Sequence, residues 1–211
     1  MKRILASLGT TALCWLLLTF NTHATTHYVD ANGTNPVSPY TDWSTAATNI
    51  QDAVTAANAD DLILVTNGIY QYGGIITPDG GTNIVVVTNA MTVQSVNGSA
   101  TTTINGGNRM RNVYLANGAS LIGFTVTNGN ASSGGGIYFG SAGCLASNCV
   151  VVGNSGSGIH SFIAYPLILS SSLVANCIIK GNAPYGLYTG LADNCLLTGN
   201  GGAGAAYLST L

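Results

Sequence analysis

The sequence contains very few charged residues. Its 211 residues include seven Asp and no Glu, and Lys and Arg together number only five, so charged residues make up 6% of the chain, compared with about a quarter in an average protein. So few cations cannot form a patch that neutralises phosphates, which argues against a nucleic-acid partner and an anionic membrane surface. Glu and Lys are also good helix formers, so their scarcity argues against a helical protein.

Disorder does not fit the composition either. Hydrophobic residues make up 46% of the chain, and β-branched residues recur throughout, whereas disordered segments are poor in both. The chain also contains 28 Gly, a residue typical of tight turns. Together these features indicate a β-rich protein with many turns and a neutral polar surface.

The first residues have the layout of a secretory signal peptide. Lys2 and Arg3 precede an apolar run at 4–20, and the small-residue sequence Thr22-His23-Ala24 follows as a cleavage site. The alternative, a membrane anchor, is disfavoured because the run is short and no stop-transfer pattern follows. We predict a signal peptide at 1–24, a secreted or cell-surface location, and no transmembrane span in the mature chain.

One segment near the N-terminus has a helical pattern. Thr48 and Gln51 form a capping box, and apolar residues then recur at helical spacing, which predicts a helix at 49–58 within an N-terminal cap at 25–60. The apolar positions are Ile50, Ala53, Val54 and Ala57. Such a helix suits the end of a β-coil, where it covers apolar interior and unpaired strand edge. The alternative is a helix packed on the side of a β-sandwich.

An internal repeat dominates the second half of the chain. The pattern Asn-Cys-apolar-apolar-x-Gly-Asn occurs at 148–154, 176–182 and 194–200, and a degenerate copy covers 121–127. The copies are unequally spaced, which is typical of a coil with fixed strand positions and variable loops rather than of helical or leucine-rich repeats. We therefore predict stacked parallel strands over 61–211.

Alternation within the copies predicts which side chains point inward. Phe124 and Val126 alternate with Thr125 and Thr127, so the first and third positions should face the interior. Applied to the full copies, this places three cysteines inside and aligns three asparagines at the corners as a ladder of amides. The predicted ladder residues are Cys149, Cys177 and Cys195, and Asn154, Asn182 and Asn200. In the same copies, Lys180 and Thr198 should point outward.

A second short element contains an aromatic residue at one position. Tyr138, His160, Tyr188 and Tyr207 each follow an apolar residue that should face inward, so we expect the four rings to project outward in a column. Weakly charged aromatic strips bind sugar rings, and the column is a candidate glycan-binding site for a polysaccharide or cell-surface glycan. The alternative is an aromatic ladder that covers the sheet or packs under a loop.

The chain resembles a known bacterial group. The resemblance rests on 27–30, 35–43, 48–54, 64–70, 91–98 and the later Asn-Cys-x-x-x-Gly-Asn units. They are similar to secreted parallel β-helix repeat proteins of the pectate-lyase-like superfamily, which often carry a choice-of-anchor module. The resemblance implies an all-β fold, a right-handed single-stranded parallel β-helix (a solenoid) with an N-terminal capping α-helix. Members usually continue to a C-terminal anchor, so we expect the chain to be truncated at Leu211.

The resemblance also raises the question of catalysis, because related folds host lyases and glycosidases of acidic polysaccharides. Elimination needs a cationic neutraliser and a base, and hydrolysis needs two carboxylic acids. The repeat region contains only Asp193 and Lys180 as acid and cation, and His160 stands alone. We therefore expect no catalytic residues and favour a non-catalytic extracellular or cell-surface protein. The alternative is a polysaccharide lyase or glycoside hydrolase, or its remnant.

Two further points concern the cysteines and metals. The mature chain contains four cysteines, an even number that permits disulfides, while a column of buried thiols is the alternative. Metal binding and cofactors are not expected, since the sequence contains neither a Cys-x-x-Cys pair nor a His cluster. The charged residues Asp79, Arg109 and Arg111 lie before the repeat region, where the sequence resembles that of loops.

Overall fold

The structure is a computed structural model that describes residues 23–162, 172–202 and 204–210. The predicted signal peptide at 1–24 lies almost entirely outside these residues and stays a prediction. Within the described part, no helix has the length and apolarity needed to cross a membrane.

Short strands are the main regular structure of the described chain. The helices are a 3-10 helix (Trp43–Thr45) and α1 (Ile50–Ala56). The strands of the first half are β1 (Thr26–Val29), β2 (Leu62–Val65), β3 (Gly68–Tyr70), β4 (Ile75–Ile76), β5 (Thr82–Val87), β6 (Thr92–Ser95), β7 (Thr102–Asn105), β8 (Arg111–Leu115), β9 (Ser120–Ile122) and β10 (Thr125–Thr127). Those of the second half are β11 (Ile137–Phe139), β12 (Leu145–Ser147), β13 (Val150–Val152), β14 (Ile159–Ser161), β15 (Leu173–Ala175), β16 (Ile178–Lys180), β17 (Tyr185–Asp193), β18 (Leu196–Thr198) and β19 (Gly204–Thr210).

The strands pair in three columns, and all pairs are parallel except that of β4 with β5. Column A contains β1, β2, β6, β9, β12, β15 and the C-terminal half of β17. Column B contains β3, β7, β10, β13, β16 and β18. Column C contains β5, β8, β11, β14, the N-terminal half of β17, and β19. From β2 onward the chain visits A, B and C in strict rotation, so each circuit is one rung of a solenoid-like fold. The predicted all-β class is confirmed at this level.

The repeat copies lie on one another as predicted. Val150 pairs with Ile178, and Ile178 pairs with Leu196, so the three copies occupy the same place on successive rungs. Inward positions are buried: Val126, Val151 and Ile179 are each 0% exposed. Lys180 and Thr198 are exposed, as the alternation predicts.

The predicted cysteine column also forms, and its members are free thiols. The backbone N–H of Cys149 donates to Sγ of Cys177 at 3.4 Å, and that of Cys177 donates to Sγ of Cys195 at 3.4 Å. Cys149 and Cys177 are buried and Cys195 is half-buried. Burial raises the pKa of the Cys195 thiol. The three thiols pack as small apolar side chains, and those of Cys177 and Cys195 also accept backbone hydrogen bonds.

The asparagine ladder is continuous and longer than predicted. Nδ2 of Asn154 donates to Oδ1 of Asn182 at 2.9 Å, and Nδ2 of Asn182 donates to Oδ1 of Asn200 at 3.0 Å. Asn112 extends the ladder upstream, donating to Oδ1 of Asn154 at 3.0 Å. Each amide also bonds backbone; Asn182 Nδ2, for example, donates to the Val151 carbonyl at 2.9 Å. The ladder therefore ties consecutive rungs together at one corner.

The left-handed backbone conformation occurs at particular positions of each repeat corner. The glycines adopt it, with φ of 64° at Gly153 and 61° at Gly181, but the ladder asparagines that follow do not. Positive φ occurs instead at the asparagines that precede the cysteines, such as Asn148 and Asn176. The short Asn side chain tolerates this conformation better than most residues do.

The helix covers the N-terminal end of the coil, with a different cap from the one predicted. The N-cap is Asn49, whose side chain accepts from the Asp52 N–H, and not Thr48. Gln51 takes no part in a capping box, because its amide bonds both backbone groups of Val86 at the edge of β5. The predicted apolar stripe is buried at Ile50 and at its next two positions. The helix thus satisfies a strand edge as well as covering apolar side chains.

A buried polar cluster fastens β1, which lies in the predicted cap segment and pairs with β2. The His27 imidazole lies between the Pro39 carbonyl at 2.6 Å and the Asp61 carboxylate at 3.0 Å. Asp61 also accepts from the N–H groups of Thr25 and Asn58; burial opposes its ionisation, but these hydrogen bonds outweigh burial and lower its pKa. The cluster joins three segments at the first rung.

The ladder predicts a large cost for removing one amide. In Asn182→Ala, the Val151 carbonyl and a donor of Asn154 lose their partners in a buried environment, so we expect the free energy of unfolding to fall by about 3 kcal/mol. Chemical denaturation measures the change. Asn32→Ala, at an exposed position, is the control and should change stability by less than about 0.5 kcal/mol. Equal effects of the two variants would contradict the role of the ladder.

Candidate functional site

A ladder of stacked rings runs along the outer side of column C. Successive ring centroids are 5.7 Å apart from Tyr114 to Tyr138, 5.2 Å from there to His160, 4.5 Å to Tyr188 and 5.1 Å to Tyr207. Adjacent ring planes differ by only 15–16°. The register of the strands produces this order, since the five residues pair with one another across β8, β11, β14, β17 and β19.

The four predicted members of the column are therefore brought together, and Tyr114 is a fifth that the sequence reasoning missed. The signal was present: Tyr114 follows Val113, which is buried and faces inward, as the apolar residue does in the later copies. The copy was not recognised because no Asn-Cys repeat unit accompanies β8.

Access to the ladder changes along its length. Tyr114 and Tyr138 are each 8% exposed and form a small outer cluster with Val86 and Ala116. Tyr207, at the other end, is 41% exposed. The prediction that all four rings are available on the surface is therefore wrong for Tyr138, which matches the alternative of a ladder packed under loops.

An ion pair holds the covering segments in place. Arg111 is only 1% exposed and donates to the Asp79 carboxylate at 2.7 Å, to Asn83 Oδ1 at 3.1 Å and to the Ser133 carbonyl at 3.0 Å. Its guanidinium also lies 4.5 Å from the centre of the Tyr138 ring, a cation–π distance. Burial opposes ionisation of Asp79, but hydrogen bonds from Arg111 and Thr77 outweigh it and lower its pKa. Arg111 lies in β8, so the expectation that it belongs to a loop was wrong.

The accessible part of the column is its C-terminal half, which we call the open strip. It comprises His160, Tyr188 and Tyr207 of the ladder with Phe162 and Tyr185 beside them. Phe162 is two residues after His160 on the same side of the chain and is 49% exposed.

Stacking determines which surfaces the open strip offers. Rings stacked nearly parallel cover one another's faces, so His160 and Tyr188 present their edges and polar atoms to solvent. Tyr185 is tilted by 52° from Tyr188 and by 38° from Tyr207. Phe162 is 49% exposed and makes no ring–ring contact within the described part of the chain, so part of its ring is accessible to a ligand. The strip therefore combines hydrogen-bonding edges with an exposed aromatic ring.

His160 is electrically neutral near pH 7. Burial lowers its pKa to about 4, and the positive charge of Arg111 acts in the same direction. The sequence expectation of a surface residue on a strand is therefore incomplete, because the imidazole is stacked between Tyr138 and Tyr188. A proton on this ring would be poorly solvated.

Within the described residues, the acid and the cation of the repeat region lie away from the ring ladder. Asp193 pairs with column A and Lys180 belongs to column B, so neither lies on the column C side. Arg111 is buried and fully engaged, which leaves it unable to act as a base. Among the described residues no three His, Cys, Asp or Glu side chains lie close enough to hold a metal ion.

One polar cleft lies near the covered end of the ladder. It has a volume of about 220 Å³ and is lined by Asp79, Arg109 and Asn130 among others. Arg109 and Asn130 are exposed, and the Asp79 charge is already paired with Arg111. The cleft therefore contains one carboxylate and lacks the second that hydrolysis would require.

Comparison with known proteins adds no assignment. No protein-family model matches the sequence, and no curated protein or solved structure matches it significantly.

The lowered pKa of His160 predicts that the folded protein loses stability in acid. Because the folded state holds this pKa below the ordinary 6.5, the unfolded state binds the proton more readily, and stability falls as the pH decreases from 6.5 towards 4. The variant His160→Tyr keeps a stacked ring but has no group that takes up a proton in this pH range, so it should not show this loss of stability. We expect the variant to gain about 1–2 kcal/mol on the wild type between pH 7 and pH 4.5, less than full linkage because the imidazole is partly exposed. Denaturant titrations at both pH values measure this gain; parallel pH dependences would contradict shielding of the ring.

Proposed function

We propose that the protein is an exported, non-catalytic parallel β-helix that contacts glycans through the open strip. The observation that supports this best is a row of partly exposed aromatic rings whose charged neighbours among the described residues, Arg111 and Asp79, are paired with each other. Aromatic rings and neutral hydrogen-bonding groups are the usual components of sugar sites.

The coil in this proposal is right-handed. Parallel strands joined by a crossover in one sheet are right-handed in nearly all proteins, because strand twist favours that hand. The cyclic order of columns A, B and C provides such a crossover on every rung. Export rests on the signal-peptide pattern at 1–24 and places the coil outside the cell or on its surface.

The alternative is an enzyme, or its remnant, that acts on acidic polysaccharide. It has less support, because elimination needs a base and a cation beside the substrate, and the buried Arg111 offers neither. An activity screen on polygalacturonate and alginate decides between the two proposals. Unsaturated product absorbing in the ultraviolet, or new reducing ends, would favour the enzyme.

Glycan contact is tested by affinity electrophoresis in gels that contain a panel of soluble polysaccharides. We expect the wild type to be retarded by at least one of them, and the double variant Tyr188→Ala/Tyr207→Ala to lose about tenfold or more in affinity, since each aromatic contact contributes about 0.5–1.5 kcal/mol. Stability measured in parallel shows that the variant is folded.

The matched control is Tyr72→Ala. Tyr72 is 74% exposed but lies between β3 and β4, beside β5 at the N-terminal end of column C, whereas the open strip lies at the C-terminal end. We expect its loss to leave retardation unchanged. Equal mobility of the wild type and the double variant in every gel would refute glycan binding by the open strip.

A further inference from the structure

We infer that the ligand of the open strip is an uncharged, linear polysaccharide that lies parallel to the coil axis, an inference that rests on the proposed function. It names the charge and the shape of the ligand, which glycan contact alone leaves open.

The charge of the ligand follows from where the charged groups lie. Of the two charged side chains on the rungs that carry the open strip, Lys180 projects from column B and Asp193 lies in column A. The Asp79–Arg111 pair lies beyond Tyr138, at the covered end of the ladder, and is internally neutralised. Arg109 lines the polar cleft beside that pair. The imidazole of His160 carries no charge near pH 7.

A charged ligand would therefore lose solvation without gaining a side chain of opposite charge. Moving a carboxylate or an ammonium group out of water without such a partner is costly, and the open strip consists of phenol, imidazole and phenyl groups. Hydroxyl groups of a neutral sugar lose less on desolvation and can bond to the phenol oxygens. The strip consequently favours neutral sugars over uronates or amino sugars.

The shape of the ligand follows from the spacing of the rings. Along the open strip the ladder repeats every 4.5–5.1 Å, one ring per rung, so similar groups recur along the coil axis in a straight line. A linear polymer presents hydroxyl groups in a regular series and can meet several rungs at once. Phe162 and Tyr185 lie beside the ladder, where they would contact the side of such a chain.

The test compares three kinds of soluble polysaccharide in affinity gels: neutral hydroxyethyl cellulose and galactomannan, anionic polygalacturonate, and cationic chitosan. We expect retardation by a neutral polymer only, and the same retardation when the NaCl concentration is raised, because screening affects charge contacts and leaves neutral ones unchanged. Free glucose added to a gel that contains a neutral polymer should compete for the open strip only at a far higher concentration, since a monomer meets a single rung.

Variants locate the contact. Phe162→Ala should lower the affinity for the neutral polysaccharide by about fivefold, which corresponds to the loss of one aromatic contact. Tyr188→Phe, which keeps the stack and removes a hydroxyl, should weaken it less than Tyr188→Ala. Tyr72→Ala again serves as the matched exposed control and should behave as the wild type.

The outcomes separate this inference from the proposal beneath it. Retardation by polygalacturonate or chitosan, abolished by salt and absent with neutral polymers, would overturn the inference and leave glycan binding intact. Retardation by none of the gels would overturn both. Neutral retardation that survives Phe162→Ala and Tyr188→Ala unchanged would overturn the assignment to the open strip.

Discussion

The fold depends on the in-register stacking of successive rungs. Once Val150 lies on Ile178 and Ile178 on Leu196, every position of one copy meets its equivalent in the next. A side chain that bonds its own equivalent then forms an unbroken ladder. Amides suit this role, because each has both donor and acceptor, and the equivalent residues Asn154, Asn182 and Asn200 bond one another in this way. Thiols that accept backbone N–H groups do the same inside.

This way of holding a protein together requires almost no charge, which accounts for the unusual composition. Strand pairing, amide ladders and apolar packing are all neutral, and salt bridges at the surface contribute little in general. Among the described residues, ionisable side chains pair with each other at two places: His27 with Asp61 at the first rung, and Arg111 with Asp79 beside the ladder. The open strip is neutral for the same reason: the few charged side chains on its rungs belong to columns A and B.

Loops, rather than the repeat, decide how much of the aromatic ladder is accessible. The repeat puts one ring on each rung, but Arg111 draws the segments around Asp79 and Ser133 together over the first two rings. Towards the C-terminal end this cover is absent from the described residues, and exposure rises to 41% at Tyr207. Where the cover ends, the stacked rings become accessible at their edges, and the half-exposed Phe162 lies beside them.

The sequence by itself determined the repeat, the inward cysteines, the asparagine ladder and the order of the aromatic column, because these depend on local alternation and on the equivalence of copies. It also located the helix, though not its cap: Thr48 and Asn49 are both acceptable N-caps locally, and the bond of Gln51 to Val86 depends on a strand 35 residues away. Only the tertiary structure decided that Tyr138 is covered, that Tyr114 joins the column, and that Arg111 pairs with Asp79 over a separation of 32 residues. Such contacts between loops follow from how the rungs stack in space, and no local pattern encodes them.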